Sequence, residues 1–92
     1  MADVTVKIPA PLRFATGDAA EISARGGTVR EVLGAVEAGH PGFSEVVLDQ
    51  QGNLHGYLNV YLGKTNIRKI SGLDTQVDGS QPLAILPAFS GG

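Results

Sequence analysis

Only one long stretch of this chain carries a helical period. Val29, Val32, Leu33 and Val36 recur at the spacing of one helix face, and on either side of them the apolar residues alternate with a period of two. A single amphipathic helix among short half-buried strands has to bury its stripe against a sheet. The chain has 92 residues. At that length a domain buries only about 60–65% of its unfolded surface and builds one modest core.

The strands follow from the same alternation. Asp3 to Ile8 sets Val4, Val6 and Ile8 against Thr5 and Lys7, and Pro9 and Pro11 end it. Asp18 to Arg25 reads as the second strand, with Ala20, Ile22 and Ala24 on its inner face, reached by a long loop and the turn Thr16-Gly17-Asp18. Thr28 with Glu31 three residues on is a capping box, hydroxyl to a backbone N–H and carboxylate back to the cap's own N–H. His40-Pro41-Gly42 stops the helix, and Phe43 to Leu48 reads as a short helix packing Phe43, Val47 and Leu48. Tyr57 to Leu62 is a central strand with Leu58, Val60 and Leu62 inward. Gly63-Lys64 turns it back, and Thr65 to Ile70 returns as a short strand. Ser71 to Val77 is a loop, Asp78-Gly79 a turn, and Gln81 to Leu86 the last strand. With Leu83 and Ile85 inward, Leu86 faces out, next to Pro87 and Phe89. The expected fold is α+β: a β-grasp, ubiquitin-like mixed sheet of about five strands. The first and last strands lie side by side, and one main helix crosses a face. Residues 1–88 form this domain and residues 89–92 a flexible tail.

Composition removes several functions. There is no cysteine, which excludes disulfides, thiolate metal sites, iron–sulfur clusters and cysteine nucleophiles. A net charge of −2 gives no footprint for nucleic acid. No apolar run approaches the ~20 residues of a membrane span. Met1-Ala2-Asp3 does not open a secretory signal, so a cytoplasmic location is expected. His40 and His55 have no acidic or second histidine partner at ligand spacing, and both fall in turn-like contexts, so no metal site is expected. Asp49 with Asp78 admits reading as a catalytic pair, but Asp78 is more simply a turn residue. Gly26-Gly27 lacks the spacing of a phosphate loop and reads as a turn feeding the Thr28 cap.

The sequence finishes LPAFSGG. A carboxylate is a poor electrophile and has to be activated, usually as an acyl-adenylate, which requires the chain end to reach the α-phosphate of ATP inside an enzyme. A narrow channel admits two residues without side chains more easily than two with them, and glycine reaches backbone conformations closed to other residues. A frayed end would also finish in glycines. The proline and strand immediately upstream favour the functional reading.

The stretch VDGSQPLAILPAFSGG, Val77 to Gly92, resembles the C-terminal signature of the ubiquitin-like sulfur carriers, the MoaD/ThiS family. Upstream, VTVKIPAPLR (Val4 to Arg13) and LHGYLNVYLGKTNIR (Leu54 to Arg68) resemble the cysteine-biosynthesis branch, CysO. Ser80-Gln81, Ala88 and Phe89 depart from the pattern of the molybdopterin branch. The resemblance implies a protein co-substrate, not an enzyme. An E1-like adenylyltransferase/sulfurtransferase using ATP and a sulfur source would convert the Gly92 carboxylate to a thiocarboxylate, with Gly91 keeping the approach passable. No cofactor is expected to be bound. The sulfur would pass to an accepting synthase, a pyridoxal-phosphate-dependent cysteine synthase or another thiolating enzyme, and a metalloprotease that releases the product is a further partner of this kind. Leu86, Phe89, Ser90, Ile67 and Arg68 are the expected docking residues. Molybdopterin, thiamine or thio-metabolite carriage, a modifier conjugated to lysines, and a non-covalent β-grasp interaction domain stay open as alternatives.

Overall fold

The computed structural model describes residues 2–87. Five strands form one mixed sheet in the order β2-β1-β5-β3-β4. They are β1 (Ala2–Lys7), β2 (Glu21–Gly26), β3 (Leu58–Leu62), β4 (Thr65–Asn66) and β5 (Leu83–Pro87). Strand β1 pairs antiparallel with β2 and parallel with β5, and β5 pairs antiparallel with β3. The expected β-grasp is therefore present, with the first and last strands adjacent. Helix α1 (Val29–Gly39) lies against the sheet, and α2 (Phe43–Val47) follows it.

The period of two places the core. Val4, Val6, Leu58, Val60, Leu83 and Ile85 are buried on one sheet face, and Val29, Val32, Leu33 and Val36 of α1 are buried against them. Phe43 and Val47 of α2 close one end. Among the described residues no helix is long and apolar enough to cross a membrane.

Thr28 caps α1, its Oγ1 accepting the Glu31 N–H at 3.2 Å. The second half of the expected capping box is different. Glu31 Oε1 accepts the Gly27 N–H at 2.8 Å, one residue before the cap. The chain enters α1 extended, with Thr28 bridged to Gln76 and Val77 N–H bonded to the Gly27 carbonyl, and that path presents the earlier N–H to the carboxylate. Gly26 is buried where β2 meets α1. A Cβ there would lie 2.8 Å from the Val32 nitrogen and 2.9 Å from Glu31 Cβ, so a side chain fits only if the start of α1 shifts.

Three other expectations are corrected. The connection after β1 is a 3-10 helix, Ala10–Thr16, begun by Pro9 and Pro11 and ended by Gly17 in the left-handed region. Two left-handed residues, Gly17 and Asp18, then turn the chain, so β2 begins at Glu21 and Ala20 is exposed rather than on the inner face. Strand β4 is only Thr65–Asn66; Ile67–Lys69 is a 3-10 helix. Asn66 Oδ1 accepts the Arg68 N–H at 2.9 Å and rolls the backbone out of the sheet, while Ile67 drops into the core.

Candidate functional site

The chain leaves the sheet through β5. Its alternation is as expected: Leu83 and Ile85 are buried, Ala84 is half-buried, and Leu86 is 45% exposed on the face away from α1. The registers Lys7–Ala84, Ala84–Tyr61 and Tyr61–Asn66 set those four residues in one row across that open face. Asn59 lies opposite Leu86 and Leu58 opposite Pro87.

The Gly63 N–H donates to the Pro82 carbonyl at 2.9 Å. Bonded and non-bonded pairs alternate in an antiparallel ladder, so Tyr61–Ala84 and Asn59–Leu86 exchange hydrogen bonds while Leu58 turns its carbonyl outward, away from β5. On the other side, β1 has ended at Lys7 and the chain has turned at Pro9. Pro87, which has no N–H to give, thus falls where the parallel ladder has run out.

Exposed apolar side chains gather at this end of the sheet. Leu86 is on β5, Tyr57 immediately precedes β3, and Phe14 is in the connection that leaves β1. Tyr57 stacks on His55 with ring centroids 4.8 Å apart.

The expected docking residues divide. Leu86 is where expected. Ile67 is corrected: it is 1% exposed and belongs to the core, because the turn out of β4 points it inward. Arg68 is at the surface, but its guanidinium is turned onto the protein itself, Nη2 donating to the Leu58 carbonyl at 2.8 Å and the His55 carbonyl at 3.1 Å. Phe89, Ser90, Gly91 and Gly92, and with them the expected tail, lie outside the described residues.

The competing sites resolve locally. Asp78 Oδ1 accepts the Ser80 N–H at 2.9 Å and its Oγ at 2.6 Å, so this carboxylate is spent on its own turn. The Ser80 hydroxyl, then its N–H, holds Asp78 below the usual carboxylate range. Asp49 likewise accepts the Gln51 and Asn53 N–H groups, so the two carboxylates form no pair. Among the described residues no cluster of His, Asp or Glu has the makings of a metal site. Sequence reasoning missed Glu37 and the inward role of Arg68; both bond to backbone groups brought near only by the fold.

Comparison with known proteins bears on the fold and the family. The pattern of the ThiS family matches residues 6–92. The sulfur carrier protein CysO of Mycobacterium tuberculosis is 38% identical over 92 residues, covering 98% of this chain and 99% of its own. The crystal structure of the Amycolatopsis orientalis BexX/CysO complex contains a chain with TM-score 0.88 and 38% identity, covering 97% of this chain and 99% of that one. The small archaeal modifier protein 1 of Methanosarcina acetivorans superposes with TM-score 0.81 at 35% identity, covering 100% and 98%. The chain belongs to the ThiS family, a family of sulfur carriers and not of catalysts.

Proposed function

We propose that the Gly92 carboxylate is the reacting group, and that the sulfur it carries is used in cysteine biosynthesis. The observation that carries this reading is the end of β5. The paired strand stops at Pro87, and five residues follow it in the sequence, the last two glycine. Five residues reach at most about 17 Å from the sheet. That span lets the domain dock on an enzyme surface while its carboxylate enters a channel too narrow for side chains.

The chemistry balances without a catalytic group on this chain. A Gly92 carboxylate oxygen attacks the α-phosphorus of ATP held by an E1-like partner, and pyrophosphate leaves. Sulfide attacks the acyl carbon, and AMP leaves with the bonding electrons; where a persulfide attacks instead, a thiol then reduces the acyl disulfide, taking the persulfide donor's own sulfur into a new disulfide and releasing the thiocarboxylate. The resulting thiocarboxylate is an anion at neutral pH and needs no general base. It then gives its sulfur to an accepting synthase. Sequence identity of 38% to CysO along nearly the whole chain supports the cysteine branch, and the crystallised complex of BexX with a CysO supports a partner that docks on this fold.

Incubation of the intact chain with its adenylating enzyme, ATP and sulfide tests the proposal by intact mass. Exchange of one oxygen for sulfur is the expected result, and removal of Gly92 abolishes it while leaving the fold unchanged. A second reading is favoured by the 35% identity to an archaeal modifier. In it the same acyl-adenylate meets a lysine amine and an isopeptide bond forms. A ladder of larger conjugates in place of the thiocarboxylate would select that reading.

A further inference from the structure

Strand β4 covers the outer edge of β3 only at Tyr61 and Leu62. Among the described residues, no strand lies beside the rest of that edge, from Val60 back to Leu58. Yet Leu58 is the residue paired with Pro87, so the uncovered stretch of β3 is the one that supports the end of β5.

Arg68 stands where the missing strand would be. Its Nη2 donates to the outward-facing Leu58 carbonyl at 2.8 Å and to the His55 carbonyl at 3.1 Å. The Leu58 N–H donates to the same His55 carbonyl at 3.0 Å, closing a turn, and the His55 N–H donates to the Val47 carbonyl of α2 at 3.1 Å. Arg68 is itself held in place: Asn66 Oδ1 accepts its N–H, and the preceding Ile67 is anchored in the core. A continuous set of hydrogen bonds therefore runs from α2 through His55 and Arg68 to the first residue of β3.

We propose that Arg68 is a positioning residue for the reacting chain end. By clasping the entrance of β3, it keeps Asn59 paired with Leu86 and Leu58 opposite Pro87, and so fixes the course of β5 up to Pro87. Arg68 touches no reacting atom; it acts through β3 and β5. The inference rests on the sulfur-carrier reading above. It also separates Arg68 from a partner-docking residue, since a docking contact and an aimed exit affect different kinetic constants.

The test compares wild type, Arg68→Ala and Arg68→Lys in steady-state thiocarboxylate formation with the adenylating enzyme, ATP and sulfide, together with amide hydrogen exchange at Asn59 and Leu86. With Arg68→Ala, kcat falls about tenfold, because small misplacements of a reacting group are expensive. KM stays within about twofold, because the docking surface is intact. Exchange at Asn59 and Leu86 quickens while that of Val4 and Val6 does not. Arg68→Lys, whose ammonium retains hydrogen-bond donors, recovers part of the loss in both readouts; it also carries the test if the alanine variant fails to fold. A raised KM with unchanged kcat overturns the proposal in favour of direct docking, and unchanged exchange at Asn59 and Leu86 overturns it outright. A wild-type chain that gains no sulfur overturns the carrier reading instead, and the exchange rates alone then decide the clasp.

Discussion

Glu37 of α1 accepts the Ser44 N–H of α2 at 2.8 Å, and its two carboxylate oxygens also take the Gly42 N–H at 3.0 and 3.2 Å. Helix α2 has Gly42, in the left-handed region, as its N-cap residue and receives no cap from that residue's side chain. Glu37 supplies that cap from the preceding helix, satisfying donors the first turn leaves open.

This cap is pH-dependent. The Ser44 N–H, then the Gly42 N–H, hold the Glu37 carboxyl below its ordinary value. A folded pKa below the unfolded one means the unfolded chain binds the proton more readily, so the contribution is complete above the unfolded pKa and is lost as pH falls through the folded one. Thermal midpoints measured across pH should fall below about pH 5. In Glu37→Gln this acid limb should be shallower. An acid limb as steep as wild type's in that variant would remove Glu37 from the account.

Much of the fold was legible because apolar alternation is a direct record of burial. Val4, Val6, Leu83 and Ile85 could be assigned to the core from spacing alone, and the stripe Val29, Val32, Leu33, Val36 likewise. What escaped was decided by single side chains meeting distant backbone. Nothing in the order of residues says that Asn66 will cap Arg68 and end β4 after two residues, or that Ile67 will turn inward. Glu31 was read to the right helix end but one N–H off, because the bridge to Gln76 sets the approach. At the site, the outward face of Leu86 was legible, and the inward bonds of Arg68 were not, since His55 and Leu58 are 13 and 10 residues away.

Thr28→Ala should destabilise the domain by about 1 kcal/mol, the usual cost of a lost helix cap. For a domain of this size that lowers the thermal midpoint by roughly 4–8 °C. Thr28→Ser keeps the hydroxyl and should stay close to wild type. Calorimetry on the two variants distinguishes the cap from mere side-chain volume.

Gly26→Ala should cost more than Thr28→Ala. The new methyl would meet the Val32 nitrogen and Glu31 Cβ well inside contact distance, and neither the start of α1 nor the end of β2 can retreat without disturbing the core. Forcing a methyl into a packed site costs about 1–3 kcal/mol. Urea denaturation should show a lower midpoint with an unchanged slope, since the surface exposed on unfolding is the same. A midpoint equal to wild type would mean the β2–α1 junction yields.

Leu86 and Ile67 should respond in opposite ways, although both were expected to dock partners. Leu86 is 45% exposed and Ile67 is 1% exposed. Ile67→Ala removes a buried side chain and should destabilise the fold by about 2–5 kcal/mol. Its effect on the KM for sulfur loading should disappear once the measurement is confined to the folded fraction, because Ile67 is not part of the exposed surface. Leu86→Ser changes a surface position, where stability usually moves by no more than about 0.5 kcal/mol. Its backbone exchange with Asn59 is retained, so the chain end is still aimed. On the proposed function, what it loses is apolar contact beside the end of β5, where the activating partner would sit. The expected outcome is a raised KM for the adenylating enzyme with kcat preserved, the reverse of the pattern expected for Arg68→Ala. Equal KM values for Leu86→Ser and wild type would place the docking surface elsewhere than the open face of β5.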